Sequence, residues 1–211
     1  MNRAKVIAAA LLVLLVVGCD SGKPDNYYPM GAGSTWSYET WATLEITAAS
    51  VETTATGTTE VEVTGIRQLT SGEDVTEFVT IVTSNVRFPA PDTIVVHDTQ
   101  YVRDAGDFVL AFDALDDAVP DTLLVLPLVA GRSWHADDSA VVTVEQQEGV
   151  TVEAGSFPDA WRLSVDNGSG FEIKQWFANH VGLVKMSFTG EPQSGYKVEL
   201  HNELVSSDVK E

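Results

Sequence analysis

From Tyr27 to the end of the chain no stretch keeps a 3.6-residue hydrophobic period over three turns, whereas period-two alternation recurs again and again. Side chains that alternate in this way can bury one face only as strands. Trp36, Tyr38, Thr40, Ala42, Leu44 and Ile46 fall on one face of a first strand, and Ser37, Glu39, Thr43, Glu45 and Thr47 on the other, with Trp41 the exception. Val61 to Val63 alternates up to Gly65, which marks a bulge. Val75 to Val82 is apolar or Thr on both faces, as in a strand covered on both sides. Tyr101-Val102 and Phe108 to Phe112 flank a turn at Asp104 to Asp107. Trp161, Leu163 and Val165 precede a turn at Asp166 to Gly170, followed by Phe171, Ile173, Gln175 and Phe177. Tyr196, Val198, Leu200 and Leu204 close the chain against Lys197, Glu199, His201 and Glu203. Eight or more short strands predict an all-β fold: a twisted antiparallel sheet, half-barrel or sandwich-like, with little helix. A short helix is expected at Asp113 to Val119. The Thr- and Ala-rich stretch from Thr47 to Thr59 is expected as a long, mobile hairpin.

Before this body stands an address. Arg3 and Lys5 precede an unbroken apolar run from Val6 to Val17, which fits a signal-peptide core and is too short to span a bilayer. Val16-Val17-Gly18-Cys19 puts small apolar residues before the chain's one cysteine, which resembles a bacterial lipobox. In lipobox proteins the chain is cut before the cysteine, which is acylated on sulfur and on its new amino group. Several acyl chains, each gaining about 0.8 kcal/mol per buried CH₂, anchor a protein stably. Residues 1–18 are thus read as a lipoprotein signal peptide, Cys19 as the lipidation site, 19–26 as a polar tether, and 27–207 as one β-domain. The expected location is the bacterial cell envelope, lipid-anchored to a membrane through Cys19, with the body facing the periplasm or the surface. In enteric bacteria Asp20 after the cysteine resembles an inner-membrane retention signal.

The chain carries 12 Lys and Arg against 31 Asp and Glu, a formal charge of −19. Such a balance excludes a generic nucleic-acid binder, which needs a basic face, and repels an anionic membrane surface. A single cysteine excludes an intramolecular disulfide framework and a cysteine-based zinc site.

One pattern occurs twice. Pro29-Met-Gly-Ala-Gly33-Ser-Thr-Trp36 matches Pro127-Leu-Val-Ala-Gly131-Arg-Ser-Trp134 in register, 98 residues apart. Two readings are open: two related half-domains, 27–124 and 125–207, or one turn-to-strand device used twice. Both require Gly33 and Gly131 at positive φ and both tryptophans as core anchors.

Tyr27-Tyr28-Pro29-Met30, Gly33 and Trp36-Ser37-Tyr38 resemble the opening of a set of uncharacterised bacterial envelope lipoproteins. Val152 to Phe157 is similar to their Val-x-x-Gly-Thr-Phe step. Trp176-Phe177-Ala178-Asn179-His180-Val181-Gly182-Leu183-Val184-Lys185 is similar to their Trp-(Tyr/Phe)-Ala-Pro-Gly-Val-Gly-Leu-Val-Lys signature, with Asn179-His180 in place of Pro-Gly. The resemblance covers both ends of the mature chain and implies a twisted antiparallel sheet of half-barrel type, likened to lipoprotein-carrier folds. It brings no assigned activity.

No catalytic constellation is found. His97, His135, His180 and His201 stand in no metal-ligand spacing, and His135-Ala-Asp137-Asp138 reads as a solvated loop. Asp113, Asp116, Asp117 and Asp121 lack the core of a calcium loop. There is no Gly-x-Ser-x-Gly elbow, Walker loop or dinucleotide fingerprint. No cofactor and no metal is expected. Trp41, out of step with its strand, is the one candidate ligand-binding residue, either the aromatic lip of a cavity or a side chain packed under the hairpin at 47–59. The leading expectation is a non-enzymatic lipoprotein whose β-domain binds a partner protein or an apolar ligand. The alternatives are a hydrolase or metal-dependent enzyme with an unrecognised site, and a purely structural surface lipoprotein. A deep apolar cavity favours ligand carriage, an open edge strand favours a protein partner, and converging His, Asp and Ser in a cleft favour an enzyme.

Overall fold

A computed structural model describes residues 25–46, 51–86, 92–168, 170–193 and 196–210. The signal peptide, Cys19 and most of the tether lie outside the described residues. Twelve strands form one sheet: β1 (Thr35–Ile46), β2 (Val51–Gln68), β3 (Asp74–Val86), β4 (Asp92–Asp104), β5 (Phe108–Phe112), β6 (Asp121–Val125), β7 (Ser133–His135), β8 (Val141–Val152), β9 (Gly155–Asp166), β10 (Phe171–Ala178), β11 (Gly182–Gln193) and β12 (Tyr196–Asp208). Each pairs antiparallel with its sequence neighbour, except across the β6/β7 break, and β1 also pairs with β12 along its whole length. The result is an up-and-down meander curled into a nearly closed barrel-like sheet, whose one break falls in mid-chain between β6 and β7. The break is bridged by Thr122 N–H donating to Ala136 O at 2.8 Å and by the Trp134 indole N–H donating to Thr122 O at 3.0 Å.

The all-β expectation holds, and the sandwich alternative gives way to a single sheet. The bulge at Gly65 is present as a register shift between Val63 and Gly65, and the Asp104–Asp107 turn joins β4 to β5. Two expectations are corrected. Asp113 to Val119 forms turns and bends, not a helix: the Asp117 carboxylate accepts the Ala114 N–H at 2.8 Å and the Asp117 N–H donates to Ala114 O at 3.2 Å, closing one tight turn that does not propagate. The hairpin expected at Thr47 to Thr59 is present in its returning arm, but that arm is a full part of the sheet: Val51 to Thr59 belongs to β2, paired with β1 on one side and, from Ala55 on, with β3 on the other, while 47–50 lie outside the described residues. The β-branched threonines favour a strand, and small Ala55 and Gly57 face the tightly curved interior.

Alternation sets what is buried. Even residues of β1 and odd residues of β2 face the concave side, where Trp36, Tyr38 and Val63 are buried while Glu39, Glu60 and Glu62 face solvent. The fully buried Val63, Val102, Leu124, Val144, Val184 and Leu204 lie near the β2–β3, β4–β5, β6–β7 and β10–β11 turns and the two chain ends, so the core fills one end of the barrel. The segment from Tyr27 to Met30 packs under that end as a plug, with Tyr28 against Phe78 (ring centroids 5.3 Å apart).

The repeated turns are the same device. Gly33 N–H donates to Val63 O and Gly131 N–H to Val144 O, both at 2.8 Å. Ser34 O and Arg132 O each accept the return bond from the same valine at 2.9 Å, and Gly33 and Gly131 sit at φ 81° and 84°. Each turn opens a run of six strands.

Candidate functional site

Above the packed end the concave face is not filled. A cavity of about 340 Å³ lies there, within the range of small-molecule sites. Its floor is aromatic: Tyr28 and Pro29 of the plug, Trp36 and Tyr38 of β1, Phe78 of β3 and Phe177 of β10. Trp36 and Phe78 stack at 6.3 Å. Its wall carries a polar band of Thr59, Thr80, Asp98, Gln100, Gln175 and Asn202. Asp98 is the one charged side chain among the residues that line it, and among the described residues it makes no ion pair.

The floor is rigid for reasons visible in its hydrogen bonds. The Trp36 indole N–H donates to Val181 O at 2.6 Å, and the Tyr38 hydroxyl donates to Leu183 O at 3.0 Å. Burial pushes the Tyr28 phenol up to about 12 and raises the Tyr38 phenol as well, so both remain neutral at physiological pH. Buried Asn202 accepts the Thr40 hydroxyl at 2.8 Å and fixes the polar band at the β1–β12 joint.

The plug is strapped to the β10–β11 turn. Asn179 Oδ1 accepts the Asn26 N–H at 2.7 Å, Asn179 Nδ2 donates to Asp25 Oδ1 at 2.9 Å, and the His180 N–H donates to Asn26 O at 2.7 Å. The opening motif and the late Trp-Phe-Ala motif, about 150 residues apart, are therefore one structural unit beneath the cavity.

The sequence candidates fall elsewhere. Trp41 lies on the convex face, as its parity requires, 38 % exposed and stacked on His201 at 5.0 Å. It does not line the cavity, which corrects the expectation of Trp41 at its mouth, and its closest aromatic partner comes from the paired strand β12. Trp176 also faces outward, but is buried: its indole N–H donates to Glu148 at 2.7 Å, Lys185 lies over its ring at 5.7 Å, and Arg162 pairs with Glu148 and Glu145. The Trp176 hydrogen bond is the largest cause holding the Glu148 carboxyl below its usual range. The histidines do not converge, and no three His, Cys, Asp or Glu come together as a metal cluster among the described residues. The band of Thr59, Thr80, Asp98, Gln100 and Gln175 was not singled out from sequence. Its signal is polar residues recurring at inward-facing positions of strands that otherwise alternate cleanly.

No protein-family model matches the chain, and no curated protein matches it. Two solved structures are similar to it. A putative lipoprotein from Parabacteroides distasonis is 10 % identical, with a TM-score of 0.41 over 89 % of this chain and 100 % of that one. A β-barrel-like protein of a domain of unknown function from Brucella abortus is 11 % identical, with a TM-score of 0.44 over 87 % of this chain and 100 % of that one.

Proposed function

We propose that the chain is a lipid-anchored lipoprotein of the bacterial cell envelope, held to the membrane through acylated Cys19, and that its β-domain binds an apolar ligand and performs no catalysis. The observation that carries the binding reading is the aromatic-floored cavity on the concave face. Its aromatic floor offers an apolar contact surface, and its polar band offers donors and acceptors to orient one polar group. The lipobox carries the anchoring reading.

The test uses the full chain, with N-phenylnaphthylamine as an apolar fluorescent probe. Wild type is expected to bind it saturably at micromolar concentration and to show quenched tryptophan emission. Thr80→Trp fills the cavity from its wall and is expected to weaken binding about tenfold, the effect of ~1.4 kcal/mol, with an unchanged melting midpoint. Trp41→Ala, on the opposite face, is expected to leave probe affinity unaltered. No saturable binding, or equal binding by Thr80→Trp, refutes the ligand reading. In the producing cell, loss of palmitate labelling in Cys19→Ala supports the anchor, and equal labelling refutes it.

A further inference from the structure

Strand β4 is thirteen residues long, but β5 pairs only with its last four, Tyr101 to Asp104. Between Asp92 and Gln100 its outer side meets no strand among the described residues; the Thr93 and Thr99 N–H groups donate to the neighbouring Asp92 and Asp98 carboxylates at 2.8 and 3.0 Å, and the rest of the outer edge has no strand to bond. Natural edges are usually protected by charged side chains, above all Lys, by Pro, by a bulge or by brevity. Here the only charges are two aspartates, Asp92 and Asp98: the register with β3 runs from Asp92 to Val102 without a shift, no Lys or Pro falls between 92 and 100, and Ile94, Val95 and Val96 are 48 %, 52 % and 50 % exposed. β5 and β6, at five residues each, leave the barrel wall short at this level, so the free edge borders the open side of the cavity lined by Asp98 and Gln100. The surroundings are acidic. Asp92 and Asp98 lie on the strand and make no ion pair among the described residues, and Asp113 and Asp121 stand where β5 ends and β6 begins.

We propose that the Asp92–Gln100 edge of β4 is a strand-addition site for an extended segment of a partner protein, β-branched at alternate positions and basic at its ends. Main-chain bonds to the free edge supply affinity, Ile94 and Val96 on one face and Val95 on the other supply apolar contact, and the aspartates select a cationic segment. A second copy of this chain is disfavoured, because each copy brings a formal charge of −19 to the joint.

The proposal does not require the cavity reading, although Asp98 borders both, and its probe is a peptide, Lys-Lys-Val-Thr-Val-Thr-Val-Lys-Lys, with the Glu-for-Lys version as its counterpart. Titrated into the full chain, the basic peptide is expected to bind and to slow amide hydrogen exchange within residues 92–100, while the acidic peptide does not bind. Asp92→Asn with Asp98→Asn, both exposed, is expected to weaken the basic peptide about threefold per carboxylate removed without changing the melting midpoint. Equal binding of both peptides, binding without slowed exchange at 92–100, or a concentration-dependent dimer that protects these same amides would overturn the proposal. Loss of the apolar probe with retention of the peptide, or the reverse, separates this site from the cavity.

Discussion

Glycines decide where this sheet can curve and turn, for two different reasons. At Gly33 and Gly131 the backbone occupies positive φ while a Cβ would meet nothing within 4 Å. Alanine there suffers conformational strain alone, on the order of 1 kcal/mol. Gly57 is the other case: it lies inside β2, and a Cβ would stand 2.1 Å from Thr83 O and 3.1 Å from Ser84 Cα. The β2 and β3 backbones close on each other at the bend of the concave face, so any side chain forces the ladder apart. Gly57→Ala is expected to lower the denaturation midpoint by more than either turn substitution, at a cost of roughly 1–3 kcal/mol as for overpacked sites. Urea titration of the three single variants checks the order. A Gly57→Ala midpoint above that of Gly33→Ala would show that the strands relax freely at this bend.

At the scale of elements, the strap between the plug and the β10–β11 turn rests on Asn179 and His180. His180 takes φ 60°, the left-handed conformation that glycine adopts without strain, while its N–H and the Asn179 side chain hold Asn26. The turn thus places a non-glycine residue in the left-handed conformation at a position that also serves the strap. His180→Gly keeps the backbone bond to Asn26 and is expected to raise stability by a few tenths to about 1 kcal/mol; a lowered melting midpoint would mean that the imidazole itself supports the turn. Alternation made the faces of β1 and of Val61 to Val63 in β2, the bulge at Gly65 and the β4–β5 turn readable, because each depends on local spacing. The end of β5 was readable, but the shortness of β6 and the resulting cavity were not. A wall position filled by Thr or Gln looks locally like a surface position. Trp41 shows the same limit: its break in alternation correctly assigned it to the other face, but only the pairing of Trp41 with His201 revealed what it packs on.

For the whole molecule, the weak point is the mid-chain break, and a cluster of aspartates stands against it. The termini are firmly joined: β1 and β12 pair from Thr35/Asp208 to Ile46/Tyr196, and buried Ser34 Oγ accepts the Lys210 N–H at 2.9 Å. The β6/β7 seam has far less, the Thr122 and Trp134 bonds described above. Asp121 adjoins them, and its carboxyl is raised above its ordinary value first by burial and then by the charges of Asp137, Asp113, Asp117 and Asp138. Asp137 is held low by bonds from Ser139 and Ala140, so it stays charged to lower pH than Asp121 and continues to repel it. A raised folded-state value means that the native protein binds this proton more tightly than the unfolded chain does. Its contribution is therefore fully present below the unfolded value of 3.8 and is lost as pH rises through the raised folded value. Near neutrality Asp121 thus works against the seam. Asp121→Asn reproduces the uncharged form and is expected to raise the melting midpoint at pH 7, to lose that advantage near about pH 3, where the wild-type carboxyl is itself protonated, and to show a smaller gain in about 1 M salt, where the Debye length falls to ~3 Å. Thermal melts of both proteins under the three conditions check this. A gain at pH 7 that persists undiminished at low pH would assign the effect to packing or hydrogen bonding of the amide and leave the seam without an electrostatic burden.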